Sequence, residues 1–90
     1  MAEVIGADGT RIRPVPKRGK TFRLEELQAI VGGYIQIIAL SDGRLMVLNE
    51  EGKLKNLPPN HAATELTRDV LCSGDYIAGD VLVCSSKEVR

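Results

Sequence analysis

Aromatic residues are scarce in this chain: Phe22, Tyr34 and Tyr76 stand alone, and there is no tryptophan. A platform that stacks nucleic-acid bases needs several exposed rings, so three scattered ones argue against it. Histidine occurs once, as His61, and cysteine twice, as Cys72 and Cys84. Two cysteines do not make a secreted disulfide framework. Both have apolar neighbours and read as buried free thiols rather than redox groups. Their separation matches neither the CxxC nor the HxxxH spacing of a zinc site. No apolar run approaches the roughly 18–20 residues that span a bilayer. Glu3 and Asp8 fall where a signal peptide would carry a basic region and then an apolar block. The expectation is a cytoplasmic protein with no membrane partner.

Recognisable catalytic motifs are missing too. There is no P-loop, GxSxG or HExxH pattern. Gly32-Gly33 follows a helix, whereas a dinucleotide-binding loop precedes one. His61 has no ligand set near it in sequence and reads as structural or solvated. Glu25 and Glu26 are adjacent on a helix and diverge by about 100°, so they do not converge on one substrate. These observations predict no catalytic residue, no metal and no cofactor.

What the chain does have is a pattern for a small α+β domain. Ninety residues with 43% hydrophobic and 27% charged residues fit one soluble domain, residues 1–90. Asp8-Gly9 and Asp42-Gly43 both read as the central pair of a two-residue type I′ hairpin. That register sets Ile5 opposite Ile12, Leu40 opposite Leu45, Ile38 opposite Val47 and Ile37 opposite Leu48. Pro14 and Pro16 cannot donate to a ladder, so the first ribbon ends there or lies at a sheet edge. Leu24, Leu27 and Ile30/Val31 recur at helical spacing and predict a helix over 22–31, with Thr21 as N-cap and Gly32-Gly33 as the stop. Asn60 caps a short helix over 61–68. A final strand covers 76–84, with Ile77, Val81 and Val83 on one face and Leu82 and Cys84 on the other. Residues 85–90 read as a solvated tail. The predicted architecture is a mostly antiparallel sheet of about five strands with one main helix and a short second one.

Both faces of the 34–48 hairpin are apolar. Tyr34, Ile38, Leu40, Leu45 and Val47 are expected on one; Ile35, Ile37, Ala39, Met46 and Leu48 on the other. Strands covered on two sides read as such near-continuous apolar runs. The helix over 22–31 covers one face, and the N-terminal ribbon with the short helix is expected to cover the other. Residual apolar surface leaves a homodimer as the alternative.

Net charge is zero, yet charge is unevenly placed. Residues 1–24 carry six basic and two acidic residues, and residues 25–90 carry six basic and ten acidic ones. Candidate partner-binding residues are therefore Arg11, Arg13, Lys17, Arg18, Lys20 and Arg23 on the basic side. Glu50, Glu51, Asp75 and Asp80 are the acidic ones. Asp80 is expected on the strand face of Leu82 and Cys84, where the plain structural role is an edge-strand charge that blocks aggregation.

Three segments carry a resemblance: LQAIVGGYIQIIAL (27–40), LMVLNEEGKLKNLPPNHAAT (45–64) and DYIAGDVLVC (75–84). The blocks VGGYI, NEEGKL, LPPN and a GDVLV-like last strand occur in order. Over residues 24–84 the chain resembles the small proteins grouped as domain of unknown function 3846, carried by bacteriophages, plasmids and other mobile elements. The basic ribbon, residues 1–23, lies outside that resemblance. The family has no established active site, so it supplies no catalytic residue. The context it implies is a non-enzymatic protein-binding module that inhibits a host defence complex, such as a CRISPR effector. The partner would then be a host protein or a protein–nucleic-acid complex. A DNA mimic would cluster Asp42, Glu50, Glu51, Glu65, Asp69, Asp75 and Asp80. Two other readings stand beside this one: a nucleic-acid accessory protein using residues 11–23, and a small enzyme or ligand-binding domain using Asp80 or His61.

Overall fold

A computed structural model describes residues 2–17, 19–71 and 74–89. Arg18 and Cys72 lie outside the described residues. Five strands form one antiparallel sheet: β1 (Glu3–Ile5), β2 (Arg11–Ile12), β3 (Ile35–Ala39), β4 (Leu45–Asn49) and β5 (Val81–Cys84), in the spatial order β2-β1-β5-β4-β3. Among the described residues two helices accompany it, α1 (Leu24–Val31) and the shorter α2 (His61–Leu66), and a 3₁₀ turn spans Ser86–Glu88. This is the predicted α+β class.

Both hairpins differ from the expected register by one residue. Val4 pairs with Ile12 and Ile5 with Arg11. Ala39 pairs with Leu45, Ile38 with Met46 and Ile37 with Val47. The cause is the same in each loop. Gly9 N donates to Gly6 O at 3.0 Å and Gly43 N to Leu40 O at 3.0 Å, closing two four-residue turns. Gly9 and Gly43 then take positive φ, 93° and 90°. Each loop is thus a three-residue connection, a type I turn ending in a glycine bulge, rather than a two-residue I′ turn. Asp8 and Asp42 reinforce the tips: their Oδ1 atoms accept the N–H of Thr10 and Arg44, each at 3.0 Å.

A one-residue slip exchanges strand faces. Ile38, Leu40, Met46 and Leu48 therefore share a face with Ile5, Val81, Val83 and Ile77. Ile35 and Val47 share the opposite face with Leu82 and Cys84. The split expected for the last strand holds, although the ladder itself begins only at Val81.

Each face has its own cover. α1 presses Leu27, Val31 and Ile30 onto the Val47/Leu82/Cys84 face, joined by Phe22 and Val89. α2 brings Ala62, Ala63 and Leu66, with Leu71 and Ile77 beside them, onto the other. The N-terminal ribbon does not lie over the sheet as expected; it extends the sheet through β1, which pairs with β5. The short helix is the part of that expectation that holds.

The helix ends also differ in detail. α1 starts at Leu24 with Arg23, not Thr21, in the N-cap position. Phe22 is withdrawn from the helix because it is buried at 1% exposure and its N–H donates to Glu88 O at 2.7 Å. Leu24 stays 52% exposed, outside the apolar stripe. Gly32 ends the helix as expected. Residues 85–89 are not a loose tail: Val89 bridges to Phe22 and packs with the α1 core.

Candidate functional site

Nine of the ten candidate partner residues are described, all but Arg18, and the fold disperses them. On the basic side, Arg11 lies on β2 and pairs with Glu3 at 3.0 Å. Arg13 lines a shallow depression with Glu3, Arg44 and Val83 at that end of the sheet. Lys20 is exposed in the loop before α1. Lys17 and Arg23 are brought together on the rim of a groove of about 440 Å³ between the ribbon and α1. Among the described residues, the basic side chains of 11–23 therefore do not form one continuous stripe.

That groove is built from a loop tied to a helix start. Glu26, in the first turn of α1, accepts the backbone N–H of Lys17 at 3.1 Å and that of Arg23 at 3.3 Å. A carboxylate here suits the positive end of the helix dipole and satisfies a donor the helix leaves open. The clamp folds Pro14, Val15 and Lys17 against α1, where Ala29 and Ile30 complete an apolar lining. Val15 is 80% exposed. Glu25 joins Lys17 and Arg23 on the rim. An apolar centre with a rim of mixed charge is the anatomy of a protein-binding patch. Sequence reasoning found the two cations but not Val15, Ala29 and Ile30. The available signal was an apolar residue held between two prolines, Pro14 and Pro16.

The acidic candidates also separate. Glu50 and Asp75 line a second groove of about 380 Å³, floored by Ile38, Leu48, Leu71 and Ile77 and edged by Lys53 and Tyr76. The Lys53 ammonium hydrogen-bonds Asp75 and lies 4.7 Å from the Tyr76 ring centroid, within cation–π range. The hydrogen bond from Lys53, helped by the Tyr76 N–H, holds the Asp75 carboxyl below its ordinary range. Glu51 instead pairs with Lys55 at 3.8 Å, one helical step along the turn. Asp80 is not on a strand face, and β5 is an inner strand of the sheet, so the edge-charge role does not apply. Its Oδ1 accepts the Ala7 N–H at 3.0 Å, pinning the first hairpin loop to the start of β5.

His61 is exposed in the first turn of α2. Among the described residues, no group of three or more His, Cys, Asp or Glu side chains is placed to hold a metal. Cys84 is buried in the α1 core, and burial pushes its thiol up to about 11, with the Glu88 charge adding to the rise. Among the described residues no helix is long and apolar enough to cross a membrane.

Two asparagines of the blocks that carry the family resemblance are framework. Asn49 of NEEGKL donates from Nδ2 to Val31 O at 3.1 Å and accepts the Glu51 N–H at 2.8 Å, joining the end of α1 to the turn after β4. Asn60 of LPPN is buried under α2 with three side-chain hydrogen bonds. The profile of the family described as Domain of unknown function (DUF3846) matches residues 4–89. The chain belongs to the DUF3846 family. The match takes in the N-terminal ribbon, so the DUF3846 unit is wider than residues 24–84. That agrees with β1 pairing to β5 inside the sheet. No curated protein and no solved structure matches the chain.

Proposed function

We propose that this DUF3846 protein is a non-enzymatic binding module of a phage or plasmid. It acts in the host cytoplasm by occluding a host defence complex, with a CRISPR effector as the first target to test. The observation that carries this reading is the Val15 groove. Its exposed apolar lining is fixed by the Glu26 clamp and flanked by Lys17 and Arg23. A pre-ordered apolar centre loses little entropy on binding, and the rim charges set orientation and encounter rate.

Occlusion fits the charges better than DNA mimicry. Of the seven acids a mimic would present, Asp42, Glu51, Glu65 and Asp75 each hold a basic partner: Arg44, Lys55, Arg68 and Lys53. Such paired carboxylates do not build the unbroken negative field of a duplex.

The test is affinity capture from host lysate with wild-type protein and with a Val15→Asp/Arg23→Glu variant, alongside an infection assay. The expected result is a defence component recovered by wild type and lost with the variant, with phage protected only by wild type. Equal recovery by both proteins, or no recovered defence component and no protection, overturns the proposal.

A further inference from the structure

The two edges of the sheet differ in kind. β2 is two residues long and is followed by Arg13 and Pro14. Short length, charge and proline are the devices that keep an edge from pairing. β3, at the other edge, is five residues long. From Gly32 to Ser41 the chain contains no charged residue and no proline.

The hydrogen bonds of β3 show which of its backbone groups are open. Leu40 N donates to Arg44 O, and Tyr34 O accepts from Glu50 N. Even-numbered residues thus turn toward β4. In an antiparallel ladder the alternate residues turn the other way, so Ile35, Ile37 and Ala39 direct their N–H and C=O groups outward. Ile37 is 43% exposed at the centre of that row.

We propose that this edge pairs with β3 of a second copy, antiparallel, about a two-fold axis through Ile37. Ile37 then faces Ile37 of the second copy, and Ile35 and Ala39 face each other at both ends. Every outward N–H and C=O of the three residues is used. A register displaced by two residues leaves one residue of each row unpaired. No like charges meet, and the two exposed Ile37 side chains bury each other at the axis. A second copy brings the same uncharged, proline-free edge, so the exposed Ile37 at the centre of one row meets its equivalent across the axis. The contact is isologous and closes at two copies, because the β2 edge is guarded. Both α1 helices then lie on the same side of one continuous sheet.

Sedimentation equilibrium tests this. Wild type is expected at twice the chain mass of 9.8 kDa. Ile37→Lys sets two ammonium groups opposite each other and is expected at the single-chain mass, with an unchanged circular dichroism spectrum. Ile37→Cys is expected to cross-link under mild oxidation, since a hydrogen-bonded antiparallel pair spaces Cα atoms about 5.5 Å apart, within disulfide reach. Ile12→Cys on the guarded edge is the control and is expected not to cross-link. A monomeric wild type, a dimer that survives Ile37→Lys, or equal cross-linking by Ile12→Cys overturns the proposal.

Discussion

The side-chain amide of Asn60 donates to the backbone carbonyl of Ile5 at 2.9 Å, joining the start of α2 to β1 across 55 residues. The same Nδ2 reaches Gly79 O at 2.9 Å, and Oδ1 caps α2 by accepting the Ala63 N–H at 3.0 Å. Asn60 is 1% exposed. One side chain therefore ties the N-terminal strand, the loop before β5 and the second helix into one framework.

A cap alone and a three-way tie predict different outcomes for Asn60→Asp. Aspartate caps a helix as well as asparagine does. Here, however, it would set a carboxylate oxygen against two buried carbonyl oxygens. Asn60→Asp is expected to destabilise at least as much as Asn60→Ala, and each by about 3 kcal/mol, the cost of two orphaned buried acceptors and more. Urea denaturation checks this. An Asn60→Asp protein as stable as wild type would reduce the residue to an ordinary cap.

Gly79, beside that tie, is held at φ 85°, and a Cβ there would come within 2.8 Å of Leu57 Cδ1. Two penalties coincide: a left-handed backbone and a crowded neighbour. Gly79→Ala is expected to cost about 1–3 kcal/mol. Adding Leu57→Ala relieves only the contact. The double variant should recover less than the whole loss once the cost of Leu57→Ala alone is subtracted. Full recovery in that cycle would mean that backbone strain plays no part.

How far such features can be read beforehand depends on their range. The α+β class, the two hairpins and the Asn60 cap rest on local patterns and were legible. Register was not. Asp-Gly fits both a two-residue I′ loop and the end of a three-residue bulged loop, and the two differ by one residue. The inference that both sheet faces need cover survived the slip, because both are apolar: exchanging Ile38 with Ile37 leaves each side in need of a helix. The far reach of Asn60 to Ile5 and of Asp80 to Ala7 was invisible because neither contact has a sequence-near signal. Phe22 misled for a related reason. Its apolar character suits a helix stripe, but the pairing that claims it is with Val89, at the other end of the chain. In the candidate groove, the charges Lys17 and Arg23 were legible as a basic segment. Their separation from Arg11 depended on β2 pairing.

Cys84 offers a pH signature. Its thiol is raised from the ordinary 9.0 to about 11, first by burial and then by the Glu88 charge. The protonated form is the one the fold holds. This contribution is therefore complete below pH 9 and lost as pH rises through about 11. Across that window the Cys84 term is expected to fall by about 1.4 kcal/mol per pH unit. Cys84→Ala should lose that part of the slope. Peptide mapping after alkylation at pH 8 is expected to find Cys84 unmodified in native protein and modified in urea. Rapid native modification would place the thiol within reach of solvent and remove the prediction.

The Glu26 clamp links the fold to the proposed function, because Glu26 lines the groove and also holds its Lys17 side in place. Glu26→Ala releases the Lys17 and Arg23 N–H groups and removes a negative charge from the positive end of α1. The stability cost is expected to be about 1 kcal/mol, in the range of a lost helix cap. Its local effect should be sharper. Amide exchange at Lys17 is expected to rise about tenfold, the equivalent of 1.4 kcal/mol, while amides of the inner strands β4 and β5 change only by the small global loss. If the groove must be pre-ordered to bind, capture from host lysate should weaken although Val15, Lys17 and Arg23 are all still present. Glu26→Gln, which keeps an acceptor oxygen, should fall between. Unchanged exchange at Lys17 would dissolve the clamp. Faster exchange with undiminished capture would keep the clamp but move the binding surface elsewhere on the molecule.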